Sequence, residues 1–458
     1  MYSLEAYFKN LSNIIWGNWL IVTLFMVGIF FTVILKFIQL RHFSTAIRET
    51  VIEPLIRKRE IAGEGSISPF QALTTALGSC VGNGNIVGVA TAIVGGGPGA
   101  LFWMWTAGVL GMATKYAEIV LGVHFREKGA EGSYTGGPMY YISKGLNLPL
   151  LGFIYAGLLF LQNAGGTLIQ SNAVREVIVN LFGLKPIVAS LLLFIPTFLI
   201  INGGIKRLGS VTERLIPFMT GFYLLGGLII IAVNAEYILP TLKLIISSAL
   251  TPQAGVAGVA GYSIKRAMRY GVARGLYSNE AGEGTAAVIH ATAITDHPAR
   301  QGLFGIIEVL VDTILICSVT GLVILISGVD RLDISPAIMI STAFSGIHWS
   351  LKYVVGISMV LFGFSSVLAQ WYFGTATLNF LAGEKKGNLY KYLFLFLIFT
   401  GPFFTLDLVW YIQDIFLGLL IIPNILGIIL LSPVVRDLTI DFFTNYQRDT
   451  YSKERYIP

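Results

Sequence analysis

Long apolar runs alternate with short polar connections from one end of the chain to the other. A helix needs about 20 apolar residues to cross the hydrocarbon of a bilayer. Runs near that length occupy 14–39, 69–93, 99–123, 148–180, 186–203, 213–234, 262–292, 302–327, 351–380, 388–402 and 406–432, which predicts eleven transmembrane helices. Two shorter stretches, 41–58 and 237–249, predict amphipathic or interfacial helices. The first run holds an apolar core, Trp19–Phe37, longer than the roughly 7–15 residues of a signal-peptide core. No small-x-small cleavage site follows it, so a retained span is expected. The fold class is therefore an all-α polytopic membrane protein.

Composition supports this reading. Of 458 residues, 55% are hydrophobic and 12% charged, with a mean hydropathy of +0.74. Soluble domains carry about 25% charged residues, and half that charge does not cover a water-soluble body of this size. The 51 glycines suit close helix packing in lipid. The net charge of +6 is spread between apolar runs rather than gathered in a patch, which argues against nucleic acid. Cys80 and Cys317 both sit in apolar stretches, so neither a disulfide framework nor a metal cluster is expected.

Basic residues orient the spans, because Lys and Arg favour cytoplasmic loops. Arg41, Arg48, Arg57, Lys58, Arg59, Arg126, Lys128, Lys144, Lys206, Arg207, Arg300, Lys385, Lys386, Arg436, Arg448, Lys453 and Arg455 fall on one side, against Lys9, Lys185, Lys243 and Arg331 on the other. This predicts an outside N-terminus and a cytoplasmic tail at 433–458 in the cell (inner or plasma) membrane. The cluster Lys265, Arg266, Arg269 and Arg274 runs against the trend.

Two apolar segments are interrupted. In Leu77–Gly88, four glycines and two asparagines follow one another, at about 1 kcal/mol of helix stability per Gly relative to Ala. Lipid tolerates opened backbone only where it lines a cavity. Such a break offers amides to a carboxylate and carbonyls to a cation. Close packing through Gly84 and Gly88 is the plainer alternative, but it leaves Asn83 and Asn85 unexplained. The Gly-x-Gly pattern is not a dinucleotide fingerprint, since no strand precedes it. A second interruption is expected over Tyr270–Gly284, with Ser278, Asn279 and Glu280 resembling a helix start and an inner half-helix from about Glu280 to Ala293. An ordinary polar loop is the alternative. With the first span set aside, ten remain, which divide into repeats at 69–234 and 255–432. Each opens on an interrupted helix, and the odd helix number makes the two inverted.

Polar residues inside other spans add candidates. Asn163, Thr167 and Gln170 share one helix face, and Gln170 suits a substrate amine or carboxylate, or an interhelical bond. Ser365 and Ser366 are adjacent in an apolar span; together with broken-helix carbonyls they would suit sodium, and alone they would bond their own helix. Glu308 and Asp312 lie one turn apart within 302–327. They are candidates for ion binding, proton relay or a structural pair with the Arg266/Arg269/Arg274 cluster.

The strings Gly82–Ile93, Gly97-Pro98-Gly99-Ala100 with Phe102-Trp103-Met104-Trp105, Thr114-Lys115-Tyr116-Ala117-Glu118, Gly136-Gly137-Pro138-Met139-Tyr140-Tyr141, Gln170-Ser171-Asn172 and Ser278-Asn279-Glu280-Ala281-Gly282 are specific in combination. Over most of its length the chain resembles the alanine or glycine:cation symporter family. Asn83, where family members often carry Thr, and Glu283, where an uncharged residue is common, depart from the pattern. The first bears on substrate preference; the second is expected to stand behind the residues that touch substrate.

The resemblance implies a leucine-transporter-like fold of two inverted five-helix repeats after one extra N-terminal helix, 14–39, and sodium-driven uptake of alanine or glycine. It implies that Gly82 and Gly84 present amides to the substrate carboxylate, with Ser79, Asn83 and Asn85 nearby and Gln170 facing the substrate. It implies a sodium site from the carbonyls of Gly78, Val81 and Phe362 with Ser365 and Ser366, the last also near substrate. The second break, carrying Ala273, Gly275, Leu276, Ser278 and Asn279, would receive the amine and side chain. Three other readings stay open: a proton-coupled permease of the same fold, an intramembrane enzyme, and a channel. The enzyme lacks a nucleophile–base pair near any of the 5 histidines, and a channel gives no reason for paired breaks.

Overall fold

The computed structural model describes residues 2–56, 63–129, 132–251, 264–403 and 407–446. Arg57, Lys58, Arg59, Arg448, Lys453 and Arg455, the expected repeat boundary at 255, the start of the 262–292 and 406–432 runs and the end of the tail lie outside these residues. Helices dominate. Helix α1 (Tyr2–Ile15) and α2 (Asn18–Ile34) precede the first interrupted helix. The expected 14–39 span ends at Ile34, where Lys36 and Phe37 turn the chain with positive φ. The amphipathic stretch 41–58 becomes short helices and a π-helical turn, Arg48–Ile56.

Helix α3 (Pro69–Cys80) starts where local chemistry dictates. The Ser68 hydroxyl accepts from Gln71 N, Gln71 Oε1 accepts from Ser68 N, and Pro69 fills the first turn. The chain leaves the helix at Val81, winds through a π-turn at Gly84–Gly88, and resumes as α4 (Val89–Gly96) at 54° to α3. The first break is therefore present where the glycine run lies.

Next come α5 (Gly99–His124), a hairpin of β1 (Glu127–Lys128) and β2 (Tyr134–Thr135), α6 (Pro149–Asn180), α7 (Pro186–Ile201), α8 (Gly204–Val233) and α9 (Ile238–Leu250). The second half has α10 (Ile264–Asn279), α11 (Thr285–His290), α12 (Pro298–Ser327), α13 (Pro336–Ile347), α14 (Lys352–Ala382), α15 (Tyr390–Thr400), α16 (Asp407–Leu430) and α17 (Ser432–Asp441). Helix α12 contains a π-helical stretch at Leu310–Ile316, and α13 is an apolar helix that no expected span covered.

The second break differs from expectation. Helix α10 runs unbroken to Asn279, and the turn spans Glu280–Gly284, with positive φ at Glu280, Gly282 and Gly284. Gly271 and Gly275 do not open the helix; they let α10 approach α5. A Cβ on Gly275 would lie 3.2 Å from the Met104 carbonyl, and one on Gly271 2.8 Å from Trp103 Cβ. Ala273, Gly275 and Leu276 are thus helical, and α11 starts at Thr285 rather than Glu280.

Among the described residues six helices are long and apolar enough to cross a membrane, seven if the bent α3–α4 pair counts as one. The other four expected spans exist as helices that are too short or insufficiently apolar for that test. Leu225, Ile229 and Val233 form an exposed apolar stripe on α8, the surface a lipid solvent requires. At the centre, α3 packs between α8 and α14, α14 and α16 flank α6, and α10 lies on α5.

Candidate functional site

The two breaks face one another. Ser79 Oγ lies 3.2 Å from Glu280 Oε2, and Thr285 Oγ1 donates to the same oxygen at 2.5 Å. Asn85 bridges behind them: its Oδ1 accepts from Gly82 N at 2.9 Å, and its Nδ2 donates to Asp312 Oδ1 at 2.6 Å and to Ser278 Oγ at 3.0 Å. Asp312 also accepts from Ser278 at 2.9 Å and Thr313 at 2.8 Å. The Gly82 amide, expected to meet a carboxylate, is held by Asn85, and the fully buried Asn85 shapes the break from behind.

The first break lies against the Ser365/Ser366 pair of α14. A Cβ on Gly78 would sit 3.5 Å from the Ser365 carbonyl, and one on Gly82 3.1 Å from Ser366 Oγ. Both serine hydroxyls donate to Phe362 O, at 2.9 and 3.0 Å. That is the ordinary bond of a serine in a membrane helix, and it still leaves hydroxyl lone pairs for a cation. Val81 is fully buried at the end of α3.

Next to the first break is a cavity of about 80 Å³ whose wall includes Ser79, Gly82, Gly84, Gln170, Tyr277 and Ser278. Glu280 and Glu283 complete that wall on the second break, so Glu283 faces the cavity rather than standing behind it. Ala273, Gly275, Leu276 and Asn279 do not line it. Gly84, Gln170, Tyr277 and Trp410 are shared with a larger cavity of about 560 Å³ that also meets Asn83, Arg274, Lys352 and Asp414. Both polar atoms of the Asn83 side chain are buried without a hydrogen-bond partner.

Two charged groups that sequence reasoning did not place, Lys115 and Glu118, hold the second break. Lys115 Nζ donates to the Asn279 carbonyl at 2.5 Å and pairs with Glu308 at 2.7 Å, with Cys80 Sγ at 3.2 Å. Glu308 meets His290 at 3.3 Å, and His290 meets Gln301 at 2.7 Å. An ammonium therefore occupies the carbonyl end of α10, where the helix dipole favours positive charge. Glu118 Oε1 accepts from Gly282 N at 3.0 Å and from Asn424 Nδ2 at 2.6 Å; Asn424 also donates to Gly282 O at 2.8 Å, and Tyr155 donates to Glu283 O at 2.7 Å. These bonds satisfy backbone that lipid would leave bare. The partner of Glu308 is Lys115, not the Arg266/Arg269/Arg274 cluster. The signal was Thr114-Lys115-Tyr116-Ala117-Glu118, two charges inside an apolar run.

On the hairpin face a set of hydrogen bonds ties separate segments together. Arg126 donates to Glu64 O at 2.6 Å, Ala293 O at 2.7 Å and Ala291 O at 3.2 Å, tying the lead-in of α3 to the segment after α11. Ser66 N donates to Thr292 O at 2.7 Å, and Tyr134 hydrogen-bonds the Glu64 carboxylate.

The profile of the sodium:alanine symporter family matches residues 1–456. The chain belongs to this family. It is 40% identical to the sodium/alanine symporter AgcS of Methanococcus maripaludis, over 93% of this chain and 94% of that one. It is 38% identical to the uncharacterized transporter YflA of Bacillus subtilis, over 98% and 95%. The crystal structure of MhsT in complex with L-phenylalanine superposes with a TM-score of 0.52 at 15% identity, covering 82% of this chain and 99% of MhsT. The symporter-family chain thus has the leucine-transporter-like fold and is a multi-pass membrane transporter, not an enzyme.

Proposed function

We propose that this protein is a sodium-coupled symporter that imports a small neutral amino acid, alanine and also glycine, by alternating access. The observation that carries the reading is the meeting of two helix breaks at a polar cavity, with Ser365 and Ser366 against the first. Sodium held by Gly78, Val81, Phe362, Ser365 and Ser366 would join α3 to α14 and order the Gly82–Gly84 turn. The amino acid would then bridge both breaks, each ligand strengthening the other by one reciprocal coupling energy. The repeats 69–234 and 255–432, an outside N-terminus and a cytoplasmic C-terminus belong to this reading. The larger cavity then faces outward, and the Arg126 contacts close the inner side. Proton relay is disfavoured because Glu308 and Asp312 are both engaged with buried partners.

Proteoliposomes with imposed gradients test this. Inward sodium alone should concentrate alanine, and a proton gradient alone should not. The Ser365→Ala/Ser366→Ala variant should lose most of the sodium dependence of alanine affinity while remaining monodisperse. A wild-type sodium response in that variant would remove the assigned ion site.

A further inference from the structure

The smaller cavity is acidic. Among the described residues its wall carries two carboxylates, Glu280 and Glu283, and no lysine, arginine or histidine. The two acids are held differently. Glu280 Oε2 accepts from Ser79 at 3.2 Å and from Thr285 at 2.5 Å, which sets it beside the first break. Glu283 is fixed only through its backbone: Tyr155 donates to its carbonyl at 2.7 Å, and its N donates to Glu280 O at 3.2 Å. The residue is 5% exposed, and its carboxylate neither hydrogen-bonds nor ion-pairs with a described residue. Unlike the sealed amide oxygens of Gln170, Gln370 and Gln413, its oxygens are open to the cavity it lines.

A buried carboxylate is costly unless it is paired, and the nearby bases do not serve. Lys115 is committed to Glu308 and to the Asn279 carbonyl, while Arg274 and Lys352 line the larger cavity instead. Positive charge for Glu283 therefore has to arrive through the cavity. Helix α6 shows where. Gln170 marks the first-break end, since a Cβ on Gly82 would lie 3.8 Å from its Nε2. Tyr155, which holds Glu283, stands earlier on the same helix by about four turns. Glu280 is thus next to the first break, and Glu283 is anchored away from it.

Resting on the transport reading above, we propose that Glu283 receives a second ammonium group, carried on the side chain of the substrate, so that the site takes short α,ω-diamino acids as well as alanine. The substrate carboxylate goes to the first break, the α-ammonium lies by Glu280, and the side-chain ammonium reaches Glu283. One sodium and one diamino-acid cation together balance the two wall carboxylates; sodium with zwitterionic alanine leaves that balance one charge short. A neutral side chain of the same length strands the Glu283 carboxylate, and a site built around a polar partner rejects the analogue that lacks it.

The test is calorimetric titration of the purified full-length protein in sodium with alanine, with 2,4-diaminobutyrate and ornithine, and with their neutral isosteres norvaline and norleucine. At least one diamino acid is expected to bind about tenfold or more tighter than its isostere. Glu283→Gln should lower that ratio by about tenfold or more, whereas Glu283→Asp, which keeps the charge, should retain the preference. Alanine binding with no preference for either diamino acid over its isostere overturns the proposal and leaves the transport reading standing. Alanine binding that takes up a proton from the buffer, again with no such preference, also overturns it and assigns the charge at Glu283 to a proton. An unchanged ratio in Glu283→Gln overturns the assignment to this residue. Failure of every amino acid to bind in sodium overturns both the proposal and the transport reading.

Discussion

Lys115 shows how a single buried charge carries structure here. Its ammonium is fully enclosed and touches Glu308, Cys80 and the last carbonyl of α10. Removing one partner of a buried pair costs about 3–5 kcal/mol, because the other charge is stranded. Lys115→Met is therefore expected to lower the thermal midpoint of the purified protein sharply. Lys115→Met with Glu308→Gln should recover much of that loss; a double variant no more stable than the single one would show that the pair is not the unit of stability. Asn85 is a second case, since one amide side chain binds Gly82, Ser278 and Asp312 and so connects the first break to α10 and α12.

At the scale of elements, glycine does two different jobs. Gly275 and Gly271 permit α10 to lie against α5, whereas Gly82 sits in the unwound turn facing Ser366 and the cavity. The nearest atoms to an added Cβ at Gly275 include the Met104 backbone, which cannot move aside cheaply. Gly275→Val should therefore reduce the yield of monodisperse protein. At Gly82 the nearest atom is a serine hydroxyl at 3.1 Å. Gly82→Ala should fold and lose sodium-dependent alanine binding by about tenfold or more, since a methyl enters the site. Calorimetric titration beside size-exclusion profiles separates the two effects; equal loss of folding in both would refute the distinction. The sequence pattern located the first break well because Val81–Asn85 combines glycine with asparagine. It misjudged the second because Gly271 and Gly275 read as breakers when their partner α5 could not be seen.

For the whole molecule, the proposed transport reading sets the larger cavity, lined by Asn83, Lys352 and Asp414, against the contacts of Arg126 on the hairpin face. Cys80 and Cys317 are buried, so Ser341→Cys, on the wall of the larger cavity, should be the principal site for a membrane-impermeant thiol reagent. In intact cells and sodium it is expected to label from outside. Adding Arg126→Ala should weaken the clamp and reduce labelling as the population shifts toward the inward-open form. Unchanged labelling would mean that the clamp does not hold the equilibrium. The Glu64 carboxyl is held below the ordinary range, first by the Tyr134 hydroxyl and then by the Lys128 charge. A depressed folded pKa means the contact is complete above the usual carboxylate value and is lost as pH falls through the lowered one. Hydrogen-exchange protection of 63–68, corrected for intrinsic rate, should therefore stay level from about pH 8 to about pH 5 and drop only in stronger acid. An earlier drop would detach Glu64 from the clamp.

Local chemistry was enough to lay out most of the apolar runs and the presence of the first break, and it accounts for the capped start of α3 at Ser68-Pro69-Phe70-Gln71. Each depends on neighbours within a few residues, as helix length, capping and glycine cost all do. The Ser365/Ser366 pairing with Gly78 and Gly82 was reachable only through family likeness, since some 280 positions separate them. What the tertiary structure alone decided is the polar furnishing of the breaks. Lys115, Glu118 and Asn424 satisfy backbone up to 164 positions away, and four glutamines from α6, α14 and α16 converge on one cavity. A buried polar group must find its partner wherever packing delivers one, and sequence distance carries no record of which helix that is.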